Sequence, residues 1–311
     1  VTKRSTDFNL EQKEIPGDGV ITGYGLIHGK PVYVYSQDSS SLGGSLGEMH
    51  AKKIAQVYDL ALKCGAPVIG LIDSTGMRLQ EATDALNGLG SIYQKQVMAS
   101  GVIPQISAIF GNCGGGQAVM TSLSDFVFIE ENNARFFLQT PDSLQGNYKQ
   151  KLDTSSAKFN SQSGTVDYIG ETDADVLDKI RELVAILPSN NEDDGCFSDC
   201  SDDLNRLVPA FEQELEDTKI AIIDISDSHY FFELKPNYAK EMVTGFIKLN
   251  GATVGAIANR TKILDDSGNP VEVFDSTLST DGCKKAAAFV RFCDAFHIPV
   301  LTLTNVSGYK A

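Results

Sequence analysis

The 311-residue chain has no apolar run approaching the roughly 20 residues that a membrane-spanning helix needs, and its start, Val1-Thr2-Lys3-Arg4, is too polar for a signal peptide. A soluble protein of the cytoplasm is the expectation. Basic residues are the scarcer charge: 26 Lys and Arg face 41 Asp and Glu, a net charge of -15. This balance argues against nonspecific attachment to nucleic acid or to an anionic membrane, because both require a basic surface. Only four histidines occur, His28, His50, His229 and His297, none beside a Ser or Cys in a recognised nucleophilic setting, and there is no Gly-x-Ser-x-Gly elbow. Nucleophilic triads are set aside on that ground. The six cysteines are scattered and suggest no disulfide framework. Cys196 and Cys200 lack the second pair of thiols or imidazoles that a structural zinc site takes, so no metal is assigned.

What the chain does contain is one phrase stated twice. Gly23-Tyr24-Gly25-Leu26-Ile27-His28-Gly29-Lys30-Pro31-Val32 returns 222 residues later as Gly245-Phe246-Ile247-Lys248-Leu249-Asn250-Gly251-Ala252-Thr253-Val254. A helix-like run from Ala51-Lys52-Lys53 to the apolar stretch Pro67-Val68-Ile69-Gly70-Leu71-Ile72 is echoed from Cys283-Lys284-Lys285 to Pro299-Val300-Leu301, now displaced by 232. An inserted loop around 265–269 accounts for the change. The spacing is too wide for a solenoid of 20 to 50 residues per repeat and indicates two domains of one α/β fold, in keeping with the length and the 42% hydrophobic content.

Residues 20–27 and 31–36 read as strands joined by a tight His28-Gly29-Lys30 turn. Helical spacing of Ile54, Val57, Tyr58, Ala61 and Leu62 predicts a helix over 48–64, and the continuous apolar run 68–72 predicts a strand covered on both faces. A helix over 82–100, a strand over 105–110, a glycine loop over 111–116, a short helix to Ser124 and a strand over 126–130 follow. Further helices are expected over 173–187 and around 218–226, separated by the acidic stretch 190–217, in which Arg206 is the sole basic residue.

Two loops carry chemistry. Gly111-Asn112-Cys113-Gly114-Gly115-Gly116 and Asp73-Ser74-Thr75-Gly76-Met77-Arg78 each follow an apolar strand. The first lacks the Lys-Ser/Thr of a Walker loop, and the glycines at 23–25 lack the third member of a dinucleotide fingerprint. Glycines at helix starts instead leave backbone N–H groups accessible, and two such loops side by side form an oxyanion hole. Tight turns and close packing are the better explanation of an isolated glycine loop; two loops in matching positions of one unit change the balance. Lys52, Lys53, Arg78 and Lys95 are expected to make this mouth locally basic despite the acidic chain.

The segments Gly17-Asp18-Gly19-Val20-Ile21-Thr22-Gly23, Gly43-Gly44-Ser45-Leu46-Gly47-Glu48-Met49-His50-Ala51-Lys52-Lys53-Ile54, Ala99-Ser100-Gly101-Val102-Ile103-Pro104-Gln105-Ile106, Leu187-Pro188-Ser189-Asn190-Asn191 and Phe289-Val290-Arg291-Phe292-Cys293-Asp294-Ala295-Phe296 closely resemble the carboxyltransferase subunits of biotin-dependent acyl-CoA carboxylases and decarboxylases. The propionyl-CoA and methylmalonyl-CoA types are the nearest in appearance. The resemblance implies an α/β chain of tandem crotonase-like (ClpP/crotonase superfamily) ββα-spiral domains. It sets out an N-terminal carboxyltransferase domain over 1–188, an acidic connector and linking helix over 189–240, and the start of a C-terminal carboxyltransferase domain over 241–311. It further implies an enolate at the acyl α-carbon, held by backbone donors while carboxyl passes to or from biotin. The family's Cys-Ala-Gly-Gly loop is Cys113-Gly114-Gly115-Gly116 here, which makes Gly115 and Gly116 the catalytic residues. CoA is expected along Ser41, Gly43, Gly44 and Ser45 and along Ser74, Gly76, Met77 and Arg78, with Arg78 a phosphate contact. Departures are Ser74-Thr75-Gly76-Met77-Arg78 for the family's Ser-Gly-Gly-Ala-Arg, and Gln117 where relatives usually carry a small residue.

By the same resemblance the cofactor is biotin on a separate carrier domain or protein and the substrate a CoA thioester. The partners are a biotin carboxyl carrier protein, further copies of the chain in a dimer-based oligomer up to a hexamer, and, in sodium-pumping relatives, membrane decarboxylase subunits. The loop of the biotin-side half-site would fall beyond Ala311, and relatives carry a segment before Val1, so the chain reads as a copy incomplete at both ends. Two alternatives stay open. A crotonase-type acyl-CoA hydratase or isomerase would need a base over the α- or β-carbon, for which Glu81 is the one candidate by position; a noncatalytic assembly subunit would bind without turnover.

Overall fold

The computed structural model describes residues 3–6, 8–12, 15–203 and 205–310; Val1 and Ala311, on which the expectations about the ends fall, lie outside these. Contacts divide the chain into one unit of Val1–Ala185 with Ser189–Asn191 and another of Ile186–Pro188 with Glu192–Ala311.

In the first unit β1 (Val20–Ile27) and β2 (Lys30–Gln37) form an antiparallel hairpin that closes at Ile27↔Lys30. His28 and Gly29 both have positive φ, 49° and 81°, as a two-residue turn matched to strand twist requires. Helix α1 (Glu48–Cys64) buries His50, Ala51, Ile54, Val57, Tyr58 and Ala61 and ends on left-handed Gly65, whose N–H returns to the Ala61 carbonyl. Then come β3 (Val68–Ser74), α2 (Ala82–Ala99), β4 (Gln105–Gly114), α3 (Gly116–Ser122), β5 (Phe126–Glu130), β6 (Arg135–Phe137), α4 (Asn147–Gln150), α5 (Ala157–Gln162), β7 (Tyr168–Gly170) and α6 (Asp173–Ile186). The sheet runs β1-β2-β3-β4-β5-β7 and is parallel from β2 onward, with β6 added alongside β4. Its core, including Val68, Ile72, Ile109, Val127 and Ile129 under α1 and α2, is continuous apolar strand, as expected of a sheet covered by helices.

One boundary differs from expectation. The glycine run is not a loop from residue 111, because β4 continues to Gly114 by pairing Asn112, Cys113 and Gly114 with Arg135, Phe136 and Phe137 of β6. Gly114 is required there: a Cβ on it would fall 2.6 Å from the Phe137 ring.

In the second unit α7 (Phe211–Glu214), α8 (Thr218–Ile225) and β8 (Phe231–Leu234) precede the hairpin of β9 (Met242–Leu249) and β10 (Ala252–Asn259). After it come β11 (Lys262–Leu264), β12 (Pro270–Val273), β13 (Thr277–Leu278), α9 (Thr280–Ala295), β14 (Val300–Leu303) and β15 (Gly308–Tyr309). The hairpin turns through Asn250 and Gly251, again at positive φ, and β14 is parallel to β10 as β3 is to β2. The β11–β12 hairpin occupies the place where the displacement between the two copies changes. The repeat reaches the interior as well. Lys53 of α1 donates to the Gly17 carbonyl just before β1, and its counterpart, Lys285 of α9, donates to the carbonyls of Lys235, Tyr238 and Met242 at the entry to β9.

Candidate active site

The two chemistry-bearing loops meet at the carboxyl ends of β3 and β4. Ser74 pairs with Cys113 across the ladder, and Asp73 Oδ1 accepts the Asn112 N–H at 3.2 Å. The same carboxylate occupies the space beside Gly111, where a Cβ would lie 2.0 Å from Oδ1. The 41–46 turn closes the group: Thr75 N–H donates to the Gly43 carbonyl, Leu46 N–H to that of Gly76, and Arg78 N–H to that of Leu46. A Cβ on Gly44 would come within 2.2 Å of the Asp73 carbonyl, so glycine is needed for that close approach. Gly115, at φ 59° and ψ -126°, turns the chain into α3, and both Gly115 and Gly116 remain half-buried. As the first residue of α3, Gly116 has an N–H without an intrahelical acceptor. Its carbonyl accepts the Tyr93 hydroxyl at 2.7 Å.

Several expected contacts turn inward instead. The Gly115 amide is bound to the Phe137 carbonyl at 3.1 Å, so Gly116 and not Gly115 offers its N–H. Ser41 Oγ donates to Asp38 Oδ2, Ser45 Oγ accepts from Arg78 Nε, and Ser74 Oγ accepts the Gly76 N–H; all three serines are buried. Arg78 is 1% exposed, with its guanidinium on Asp18 at 2.9 Å, on Glu81 at 2.7 Å and on the Ser45 carbonyl at 2.9 Å. It is therefore an interior strut and not a phosphate contact. The expected basic mouth is likewise absent: Lys52 pairs with Glu48, Lys95 with Asp59, and Lys53 is buried against Gly17. Gly43, Gly44, Gly76 and half-buried Met77 line the grouped turns through their backbone.

Residues 1–311 match the carboxyl transferase domain. The chain belongs to the carboxyl transferase family. It is 39% identical over 320 residues to the propionyl-CoA carboxylase beta chain of Roseobacter denitrificans and 38% identical over 320 residues to the methylmalonyl-CoA decarboxylase subunit alpha of Propionigenium modestum. These matches take in 99% of this chain but 61% and 60% of those proteins, so the chain spans about three fifths of the length of the relatives it matches. The solved transcarboxylase 12S, a hexamer with hydrolysed methylmalonyl-CoA bound, superposes at a TM-score of 0.87 with 32% identity over 99% of this chain and 61% of that one. The fold is the crotonase-like α/β architecture.

In this carboxyl transferase chain the turns stand on a buried charged frame that the sequence did not announce. Asp18 accepts from Arg78, from the Ser5 N–H at 3.1 Å and from the His50 N–H at 2.8 Å, while Glu81 accepts the Glu48 N–H as well as Arg78. The Glu81 carboxylate is thus occupied and 1% exposed, which removes the one candidate base of a hydratase or isomerase. His50 is fully buried, and burial pulls its pKa down to about 4. Its Nδ1–H faces the Asp18 carbonyl, which only accepts, leaving Nε2 to accept from the Gln37 amide. Because the folded pKa lies below the ordinary 6.5, the neutral ring's contribution is complete above pH 6.5 and is lost as pH falls toward 4. Chemical denaturation at stepped pH should show that loss, and His50→Gln should flatten it. Cys113 is also inert: burial pushes its thiol up to about 12, and Sγ contacts Thr121 Oγ1. Phe137 and Tyr93, which hold the glycine turn, escaped notice because each acts on a partner remote in sequence, and Asp73, named only as part of its loop, was not seen to reach Asn112.

Proposed function

We propose that this chain binds an acyl-CoA of the propionyl or methylmalonyl type and performs the acyl half of a carboxyl transfer. The observation that carries the reading is the meeting of the β3 and β4 turns, with the half-buried Gly116 amide at the start of α3. When carboxyl leaves or joins the α-carbon, the electron pair resides on the thioester oxygen, and a fixed N–H donor stabilises that charge most strongly where it develops. The Gly115 amide, tied to Phe137, holds the turn in place; the Gly116 amide is directed to the oxygen. No side-chain base is needed at this step, in keeping with the burial of Glu81 and the low pKa of His50.

Biotin, carried on a separate protein or domain, would supply or accept the carboxyl group. In the turn after β14 the Asn305 and Ser307 N–H groups are bound to Asn259 Oδ1 and to the Ser276 carbonyl, so neither of these two is offered to it. A biotin carboxyl carrier protein, a homo-oligomer like the hexameric transcarboxylase 12S, association with membrane decarboxylase subunits and a cytoplasmic setting belong to the same proposal. Among the described residues no helix is long and apolar enough to cross a membrane.

The test is calorimetric titration of the protein at its natural length with propionyl-CoA and methylmalonyl-CoA, alongside transfer of labelled carboxyl to a biotinylated carrier. Binding within the about 1 μM to 1 mM span usual for enzyme substrates, with transfer, is expected. Binding without transfer would favour the assembly subunit, and no binding would overturn the reading.

A further inference from the structure

Gln117, the second residue of α3, is 1% exposed, yet neither its Oε1 nor its Nε2 meets a hydrogen-bond partner within the chain. A buried polar group left unpaired costs about 1–3 kcal/mol. Helix side chains lean back over the preceding turn, which for Gln117 is the glycine turn at 114–116. The face it occupies follows from its neighbours. A Cβ on Gly116 would lie 2.4 Å from Leu89 on α2, whereas Thr121, one turn beyond Gln117 on the same face, places Oγ1 3.2 Å from Cys113 Sγ on β4. The carboxamide therefore lies on the β4 side of α3, beside the half-buried glycines. Of the other groups around this turn, the Tyr93 hydroxyl is engaged by the Gly116 carbonyl, the Gly115 N–H by Phe137 and the Asn112 backbone N–H by Asp73, while the Gly116 N–H is the one assigned to the thioester oxygen.

We propose that Gln117 is a specificity-determining residue for the acyl group, its Nε2 donating to a carboxylate on the acyl chain, so that carboxylated acyl thioesters are preferred over plain alkyl ones. This rests on the reading of the glycine turn as the thioester site. Of the arginines around the turns, Arg78 is spent on Asp18 and Glu81, and Arg135, paired beside Asn112 in the β4–β6 ladder, gives Nη1 to the Asn132 and Ala134 carbonyls. A neutral donor also suits a carboxyl group that must leave, because departure breaks no ion pair. A site built to hydrogen-bond a substrate group discriminates strongly against the analogue that lacks it, because its own polar atoms are then left unpaired.

The experiment uses methylmalonyl-CoA and propionyl-CoA as probes, by calorimetry on the protein at its natural length, with Gln117→Met, which keeps the volume but removes both polar atoms, and Gln117→Glu. The wild type should prefer methylmalonyl-CoA. Gln117→Met should lose about 10- to 100-fold affinity for it, as expected for a hydrogen bond to a charged group, with propionyl-CoA affinity nearly unchanged. The same variant should melt at a higher temperature without ligand, since the unpaired amide is gone. Gln117→Glu should repel methylmalonyl-CoA further. An unchanged affinity ratio overturns the proposal while leaving the acyl-CoA site intact, as does a lower melting temperature for Gln117→Met, which would make the carboxamide part of the fold. If the wild type binds neither thioester, the site reading fails and this inference with it.

Discussion

Arg78→Ala is expected to lower the unfolding free energy by about 3–5 kcal/mol, the largest stability effect of any single change considered for this chain. The side chain is fully buried, and its removal strands two carboxylates, Asp18 and Glu81, at 0% and 1% exposure, besides the Ser45 carbonyl. Losing one partner of a buried pair costs far more than the pair itself is worth, because the remaining charge has no solvent to turn to. For a protein of this size, each kcal/mol lowers the melting temperature by about 2–4 °C, so a shift near 10 °C should be seen by calorimetry. Arg78→Lys should recover only part of it, since one ammonium cannot span both carboxylates and the Ser45 backbone. Acyl-CoA affinity, measured well below the melting temperature, should change little. An unaltered melting temperature with lost CoA binding would return Arg78 to the role of phosphate contact.

Gly115→Ala should instead damage turnover. At φ 59° and ψ -126° the residue sits where L side chains are strained, yet no atom lies within 4 Å of the position a Cβ would take. The penalty is thus purely one of backbone conformation, about 1–3 kcal/mol. The turn can relieve it only by rotating, which pulls Gly115 away from the Phe137 carbonyl and re-aims the Gly116 amide. Loss of one oxyanion donor lowers kcat about 100- to 1000-fold, so a fall of that order is expected with a melting temperature only a few degrees lower. Gly90→Ala, in the interior of α2 with open space around it, is the matched control and should be active and slightly more stable. Full activity in Gly115→Ala would detach this turn from catalysis.

The parts of the fold that could be read from the sequence are those whose causes are local. Helix 48–64 followed from the spacing of its apolar residues, and the two hairpins from repeated turn chemistry. Strand β6 was invisible because Arg135, Phe136 and Phe137 are too few to show alternation. Its presence is what converts Asn112, Cys113 and Gly114 from apparent loop to strand and consumes the Gly115 amide. Glycines are depleted in strands, so propensity misleads wherever a third chain segment supplies the pairing. Arg78 was misjudged for a related reason. A cation beside a glycine turn looks like an anion ligand until Asp18, 60 residues away, is folded against it.

The lysine clamp at the entrance of each copy, Lys53 at Gly17 and Lys285 at Lys235, Tyr238 and Met242, bears on how the chain tolerates change over evolutionary time. Each hairpin is moored from within its own unit, by a helix that follows it at short sequence distance, so neither copy depends on the other for the seating of its first strand. The turns beyond β3 and β14 are then free to diverge from one another while the moorings stay fixed. Slowly exchanging amides should accordingly cluster around both hairpins even in variants whose catalytic turn has been rebuilt.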